Sequence, residues 1–264
     1  MKIEVLLATM FFENEAENYL DEMNAQTDMV IGNQCDRTED REFTHNGHKI
    51  KLLSRNERGV GKNRNTCLFN SDADVVIFAD NDVKYYDGAA KKVEEYYNSH
   101  PDADVVIFNF RKQRGDEEIY DSNKKNKKAK RRDATKFGAP SVTARRESLL
   151  KSRISFSLMF GGGTKYSCGE DTLFLIDCYR NNLNVYLCDE TLGTIIARES
   201  TWFTGITEKY VYDKGILFRA ICPRMYRLAI YYHVFKHKKL YAQYGSVGKT
   251  LKLMLKGAKD YAKR

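Results

Sequence analysis

The chain has 264 residues, 42% of them apolar and 30% charged, with a formal charge of +8 at pH 7. That length supports one substantial core, alone or with an appendage, and the composition excludes a disordered or fibrous protein. With 3 prolines and 17 glycines long flexible linkers are not expected. The 6 cysteines form no Cys-x-x-Cys pair and no zinc spacing, so they read as buried free thiols in a reducing compartment.

Along the chain, Met1 to Leu7 is too short and too charged for a secretory signal and reads as a first strand, Ile3–Ala8. A short helix over Glu15–Asn24 and a second strand at Met29–Gly32 follow, then a third strand at Lys49–Leu53 and a helix at Gly61–Asn70. Val75–Ala79 and Val105–Phe110 are wholly apolar strands separated by a helix around Gly88–Asn98. Strands alternating with helices predict βαβ units and a mainly parallel sheet buried on both faces.

The second half is less regular. A strand at Ser141–Ala144 and a helix from Glu147 precede Gly161-Gly162-Gly163, read as a flexible junction that lets the chain pass close to a ligand. Gly169-Glu170-Asp171 opens a helix to about Asn181. Val185–Cys188 and Thr194–Ala197 read as two late strands, and the pattern is helical from about Thr207. The expected division is a catalytic domain over residues 1–205 and a helical basic extension over 206–264. The apolar stretch from Ile216 to Phe235 is broken by Arg219, Arg224 and Arg227. Each arginine at mid-bilayer costs roughly 2.5–3.5 kcal/mol, which argues against a simple transmembrane helix.

The residues that carry chemistry gather after strands. Asp80-Asn81-Asp82 follows the run Val75–Ala79, and open α/β sheets bind ligands outside the carboxyl ends of their strands. Two acids one residue apart repel unless a cation bridges them, so the pair points to a divalent metal holding a phosphorylated donor. The same Asp-x-Asp spacing occurs at Asp72/Asp74 and Asp102/Asp104, but there it precedes the strand, where turn chemistry explains it.

Thr9 and Asn33 to Asp36 follow the first and second strands at the same sheet edge. The basic stretch Arg55 to Asn65 places Lys62 and Arg64 where they could face a diphosphate or a nucleobase; a solvated loop leading into a helix is the plain alternative. Glu170 and Asp171 either complement the dipole at a helix start or supply a general base for an acceptor hydroxyl.

In order and spacing, Thr9, Asp36, Lys62-x-Arg64-Asn65, Ala79-Asp80-Asn81-Asp82 and Gly169-Glu170-Asp171 resemble family 2 glycosyltransferases with a GT-A fold, over roughly residues 1–200. The stretch Phe160 to Thr172 and Glu199-Ser-Thr-Trp202-Phe203 look like the bacterial subgroup that builds capsular or exopolysaccharide. The resemblance implies an inverting transfer from a nucleotide-sugar, most often UDP-linked, assisted by Mn²⁺ or Mg²⁺. It implies Asp80 on the ribose and metal, Asp82 on the metal, Asp36 and Arg64 near the base, and Asp171 (or Glu170) as the catalytic base. Relatives often place a histidine after the late strand. This chain has Ile196-Ala197-Arg198-Glu199 there, so either Arg198 contacts the diphosphate directly or the metal is held more loosely.

Positive charge concentrates in Lys124–Arg132 and in the tail from Arg224 to Arg264, whose only acid is Asp260. The first reads as a mobile loop on the acceptor side. The second reads either as a solvated helical face or as a surface for anionic lipid. The lipid reading suits a lipid-linked or oligosaccharide acceptor and a cytoplasmic enzyme peripheral to the inner face of the plasma membrane. A nucleotide- or nucleic-acid-binding protein without transferase activity is the alternative from another class.

Overall fold

Val75 to Ala79 sends its side chains alternately to two sides of a sheet, and each side meets a different set of helices. The computed structural model of the chain describes residues 1–12, 16–114, 117–121, 125–196 and 205–262. In chain order the elements are β1 (Ile3–Met10), α1 (Ala16–Met23), β2 (Asp28–Gln34), β3 (Glu39–His45), β4 (His48–Arg55), α2 (Val60–Asn70), β5 (Val75–Asp80), β6 (Val83–Tyr85), α3 (Ala89–Ser99) and β7 (Val105–Arg114). They continue as β8 (Glu117–Asp121), β9 (Lys127–Lys128), β10 (Val142–Arg145), α4 (Arg146–Lys151), α5 (Glu170–Arg180) and β11 (Val185–Ile196). The chain closes with α6 (Glu208–Ile221), α7 (Tyr226–Lys236), α8 (Lys238–Tyr241) and α9 (Val247–Tyr261).

The sheet is parallel through β4-β2-β1-β5. β10 enters antiparallel between β5 and β7, and β11 runs parallel to β7. The chain moves outward from β1 to β2 and β4, then returns to β5 on the other side of β1. That reversal makes the carboxyl ends of β1 and β5 a topological switch point, where such sheets open a crevice. On one face Leu6, Val30, Val76, Phe78 and Ile107 pack with Cys67 and Leu68 of α2 and Phe174 of α5. On the other, Val5, Leu7, Ile31, Ile77 and Phe108 pack with Leu20 of α1 and Val93 of α3. The α/β class and the helical C-terminal part are as expected, and the cysteines are free thiols, four of them buried.

Both early Asp-x-Asp pairs serve the backbone. Asp74 accepts the Lys2 amide at 2.7 Å, and Asp104 accepts the Asn184 amide at 2.8 Å. Three expectations differ in detail. β3 is an exposed edge strand of mostly charged and polar residues, so it carries no apolar period, and it pairs with β4 through an Asn46-Gly47 turn with both residues at positive φ. The two late strands are one, β11, whose register shifts between Leu187 and Gly193, where exposed Asp189 and Glu190 interrupt the apolar pattern. From Lys127 onward the basic run is anchored: β9 pairs with β11, and Ala129 is buried in the first core.

α6 serves two cores. Ile216, Leu217 and Ile221 pack into the first, while Val211 joins Ile230, Val234, Met254 and Ala258 in a third built by the C-terminal helices. α6 and α9 cross on glycines placed reciprocally. A Cβ at Gly215 would lie 1.9 Å from the Met254 carbonyl oxygen, and one at Gly257 would lie 2.3 Å from that of Tyr212. Gly215→Ala gains up to about 1 kcal/mol of helix propensity yet must push α9 away. We expect it to lower stability by about 1–3 kcal/mol overall, read by urea unfolding. A stabilised variant would show that the crossing has slack.

Candidate active site

Parallel pairing puts Ala8 of β1 opposite Asp80 of β5, so Thr9 and Asp80 end neighbouring strands at the crevice. Thr9 is buried, and its carbonyl accepts the Asn63 side-chain amide at 3.1 Å. The same amide reaches the Gly32 carbonyl at 2.9 Å, so α2 is pinned across the ends of β1 and β2. Asn33 closes the same edge: its Oδ1 accepts the Phe12 amide at 2.9 Å and its Nδ2 donates to Ser54 Oγ at 3.1 Å.

Arg64, the next residue along α2 after Asn63, is the centre of the site and only 3% exposed. Nη2 donates to both oxygens of Asp80, at 2.8 and 2.9 Å. Nη1 donates to Asp171 at 2.8 Å and to Glu170 at 3.3 Å. The guanidinium also lies over the Phe156 ring, 5.2 Å from its centroid. Thus the acid after β5 and both acids opening α5 meet on one buried cation.

Glu170 and Asp171 occupy the first turn of α5, where they complement the helix dipole. Their seat is built by glycine. Gly161 has φ +111°, and a Cβ there would come within 2.9 Å of the Glu170 carboxyl. The glycine run therefore lets the chain approach the protein's own acid. It is an ordered turn, with the Gly162 carbonyl accepting the Val60 amide at 3.0 Å. Gly169, also at φ +111°, lies against Leu217 of α6. Buried Asp213 of α6 accepts the Ser167 amide at 2.9 Å and pairs with Lys209, which fixes the approach to α5.

Burial raises the Asp171 carboxyl to about 7; the Arg64 charge opposes this, while the Glu170 and Asp80 carboxylates add to it. An Asp that shifts this far in a cleft can hold or release a proton near neutrality, as a general base requires. Arg64 is shifted upward by its three carboxylates against the opposing effect of burial and stays charged.

The other sequence-predicted residues sit apart. Asp36 is exposed and paired with Arg58 at 2.9 Å. Lys62 is half-exposed and paired with Glu57 at 2.5 Å. Asp82 lies two residues after Asp80, and its carbonyl accepts the Ile196 amide at 2.8 Å, so β11 braces the Asp-x-Asp loop. Arg198 and Glu199-Ser-Thr-Trp202-Phe203 lie outside the described residues.

Among the described residues, no three His, Cys, Asp or Glu side chains gather as a metal site. Asp80 and Asp82 carry the hard oxygen donors that Mg²⁺ or Mn²⁺ takes, although both oxygens of Asp80 already accept from Arg64. Sequence reading placed Asn33 at this edge but missed Asn63, Phe156 and Asp213. Only Asn63, inside the basic glycine-rich stretch, carried a signal.

Residues 19–154, just over half of the chain, match the family described as Glycosyl transferase family 2. The chain belongs to that family. No curated protein sequence matches the chain. Among solved structures, S. aureus TarS 1–349 in complex with UDP-GlcNAc superposes with a TM-score of 0.62 at 18% identity, covering 83% of this chain and 66% of that one. TarS 1–349 in another crystal structure gives 0.62 at 16% identity, over 100% and 92% of the two chains. The mannosyltransferase PcManGT from Pyrobaculum calidifontis, in complex with GDP-Man and Mn²⁺, gives 0.53 at 11%, over 98% and 73%. These likenesses establish a shared GT-A arrangement of sheet and helices. The chain spans less than two thirds of the UDP-GlcNAc-bound TarS fragment.

Removing one partner of a buried ion cluster leaves the others uncompensated. We expect Arg64→Met to cost about 3–5 kcal/mol in urea unfolding at pH 7. The penalty should shrink as pH falls below about 7 and Asp171 takes up a proton. A variant as stable as the parent at pH 7 would show that the cluster carries no such constraint.

Proposed function

We propose that the chain transfers a sugar, with inversion, from a nucleotide-sugar to an acceptor hydroxyl. The observation that carries this is the single buried guanidinium of Arg64, which ties the donor-side Asp80 to Glu170 and Asp171. Arg64 is then a positioning residue, holding the two halves of the site in register. Asp171 acts as the base: its carboxylate takes the proton of the attacking hydroxyl as the new bond forms at the anomeric carbon and the nucleoside diphosphate departs. Glu170, on the same cation, is the alternate base and keeps the Asp171 carboxyl raised. Asp82 and Asp80 would hold Mn²⁺ or Mg²⁺, which supplies neutralisation of charge on the departing diphosphate.

The donor is read as UDP-linked. UDP-GlcNAc bound to TarS supports this, and GDP-Man bound to PcManGT marks the other nucleotide to be tested. By the resemblance, Thr9, Asp36 and Lys62 would contact the nucleotide and Arg198 the diphosphate. The acceptor is a lipid-linked or oligosaccharide hydroxyl in cell-surface polysaccharide synthesis, reached by an enzyme peripheral to an anionic membrane.

Two experiments bear on this. Thermal unfolding should shift upward with UDP plus Mn²⁺ and little with UDP alone or with oligonucleotides. Asp82→Ala should remove that shift and abolish transfer while the fold stays intact; full turnover in it would exclude the metal assignment.

A base must be ionised to act. With the Asp171 carboxyl at about 7, kcat/KM should therefore rise about tenfold per pH unit below that value and level off above it. Asp171→Asn should lower turnover by about 10²–10⁴-fold with UDP affinity retained. A loss of donor affinity with chemistry preserved would move the base elsewhere.

A further inference from the structure

The lysine-rich tail suggests a lipid-facing helix, but the obvious one, α9, has already used its apolar face. Its Met254, Gly257 and Ala258 are buried against the neighbouring helices, and Lys249, Lys252, Lys256 and Lys259 project to water. α7 is different. Among its residues only Ile230 and Val234 are fully buried.

Met225, Leu228, Tyr232 and Phe235 are 63%, 65%, 68% and 58% exposed. Their spacing of three, four and three residues puts them on one stripe of a helix. Of the 12 exposed large hydrophobic residues among the described residues, 6 lie between Met225 and Leu240. Such clustering is unusual for an exposed surface and marks a place of contact.

The charges flanking the stripe in sequence are of one sign. Arg224, Arg227, Lys236, Lys238 and Lys239 are exposed, and no acid occurs from Arg224 through Lys259. A second copy of this chain would bring like charges together across the interface, which disfavours a symmetric dimer here. A nucleic acid would match the basic residues and leave the apolar stripe in water. An anionic bilayer surface matches both: acidic headgroups for the lysines and arginines, and the headgroup–acyl boundary for Met, Leu, Tyr and Phe. At about 1.5 Å per residue the 11 residues of α7 run roughly 16 Å, long enough to lie in the interface and too short to cross it. No helix among the described residues is long and apolar enough to span a membrane.

We propose that the α7 face, centred on Leu228, Tyr232 and Phe235, is an in-plane docking surface for anionic lipid, with Arg224, Arg227 and Lys236 to Lys239 as its electrostatic rim. This specifies the membrane contact of the function proposed above, and its test needs no turnover, so either reading can fail without the other.

The full chain is floated with vesicles of phosphatidylcholine alone and of phosphatidylcholine with phosphatidylglycerol, two parts to one. Binding is expected to the mixed vesicles and to weaken with salt. Leu228→Ser with Phe235→Ser should reduce it by about tenfold or more, with melting temperature and the UDP–Mn²⁺ shift unchanged because both side chains are exposed. Lys238→Ala with Lys239→Ala should weaken it less and flatten its salt dependence. Equal binding to both vesicle types, or binding untouched by the Leu228/Phe235 pair, overturns the proposal. So does a concentration-dependent dimer that the same pair dissolves, because the face then belongs to a second copy.

Discussion

One positive charge held out of water by three carboxylates is the constraint on which the site depends. A guanidinium is planar and forked, so it can hold Asp80 in a bidentate grip with one nitrogen and turn the other toward Glu170 and Asp171. Lysine, a point charge, could not span the two directions. Because Arg64 is buried, its charge cannot be left to solvent, and the three acids cannot move independently of it. The strand end at Asp80 and the helix start at Glu170 are 90 residues apart in sequence (170 − 80), yet they meet on one side chain.

The same cluster has an imbalance: three acids face one cation. Burial and mutual repulsion settle it by lifting Asp171, the member that the α5 helix start presents to the crevice. A residue poised in this way is useful because a small change in surrounding charge shifts its proton.

Much of this was legible from the chain alone, for physical reasons. Val75–Ala79 and Val105–Phe110 are apolar at every position because both faces are covered, and such runs are unambiguous. β3 was not legible, since an exposed edge strand has no buried face to impress a pattern on its residues. β11 appeared as two strands because its bulge carries Asp189 and Glu190. At the site, the acids and Arg64 stood out by type and position, but the direction of Arg64 did not. A basic residue near a helix start reads as a ligand contact or as part of a solvated loop, and only the fold shows the Arg64 side chain turned inward onto acids. Asp213 is a distant helix residue whose bond to Ser167 exists only once α6 packs beside α5.

The crossing of α6 and α9 on paired glycines also reaches the chemistry. α6 carries Asp213, which holds Ser167, and Leu217, which fills the space at Gly169 where the α5 acids begin. Since α6 is clamped between the sheet's core and α9, it behaves as a rigid strut. The C-terminal helices are thus part of the scaffold that aims the acids, and a load applied to their outer face is borne by the residues that orient Asp171.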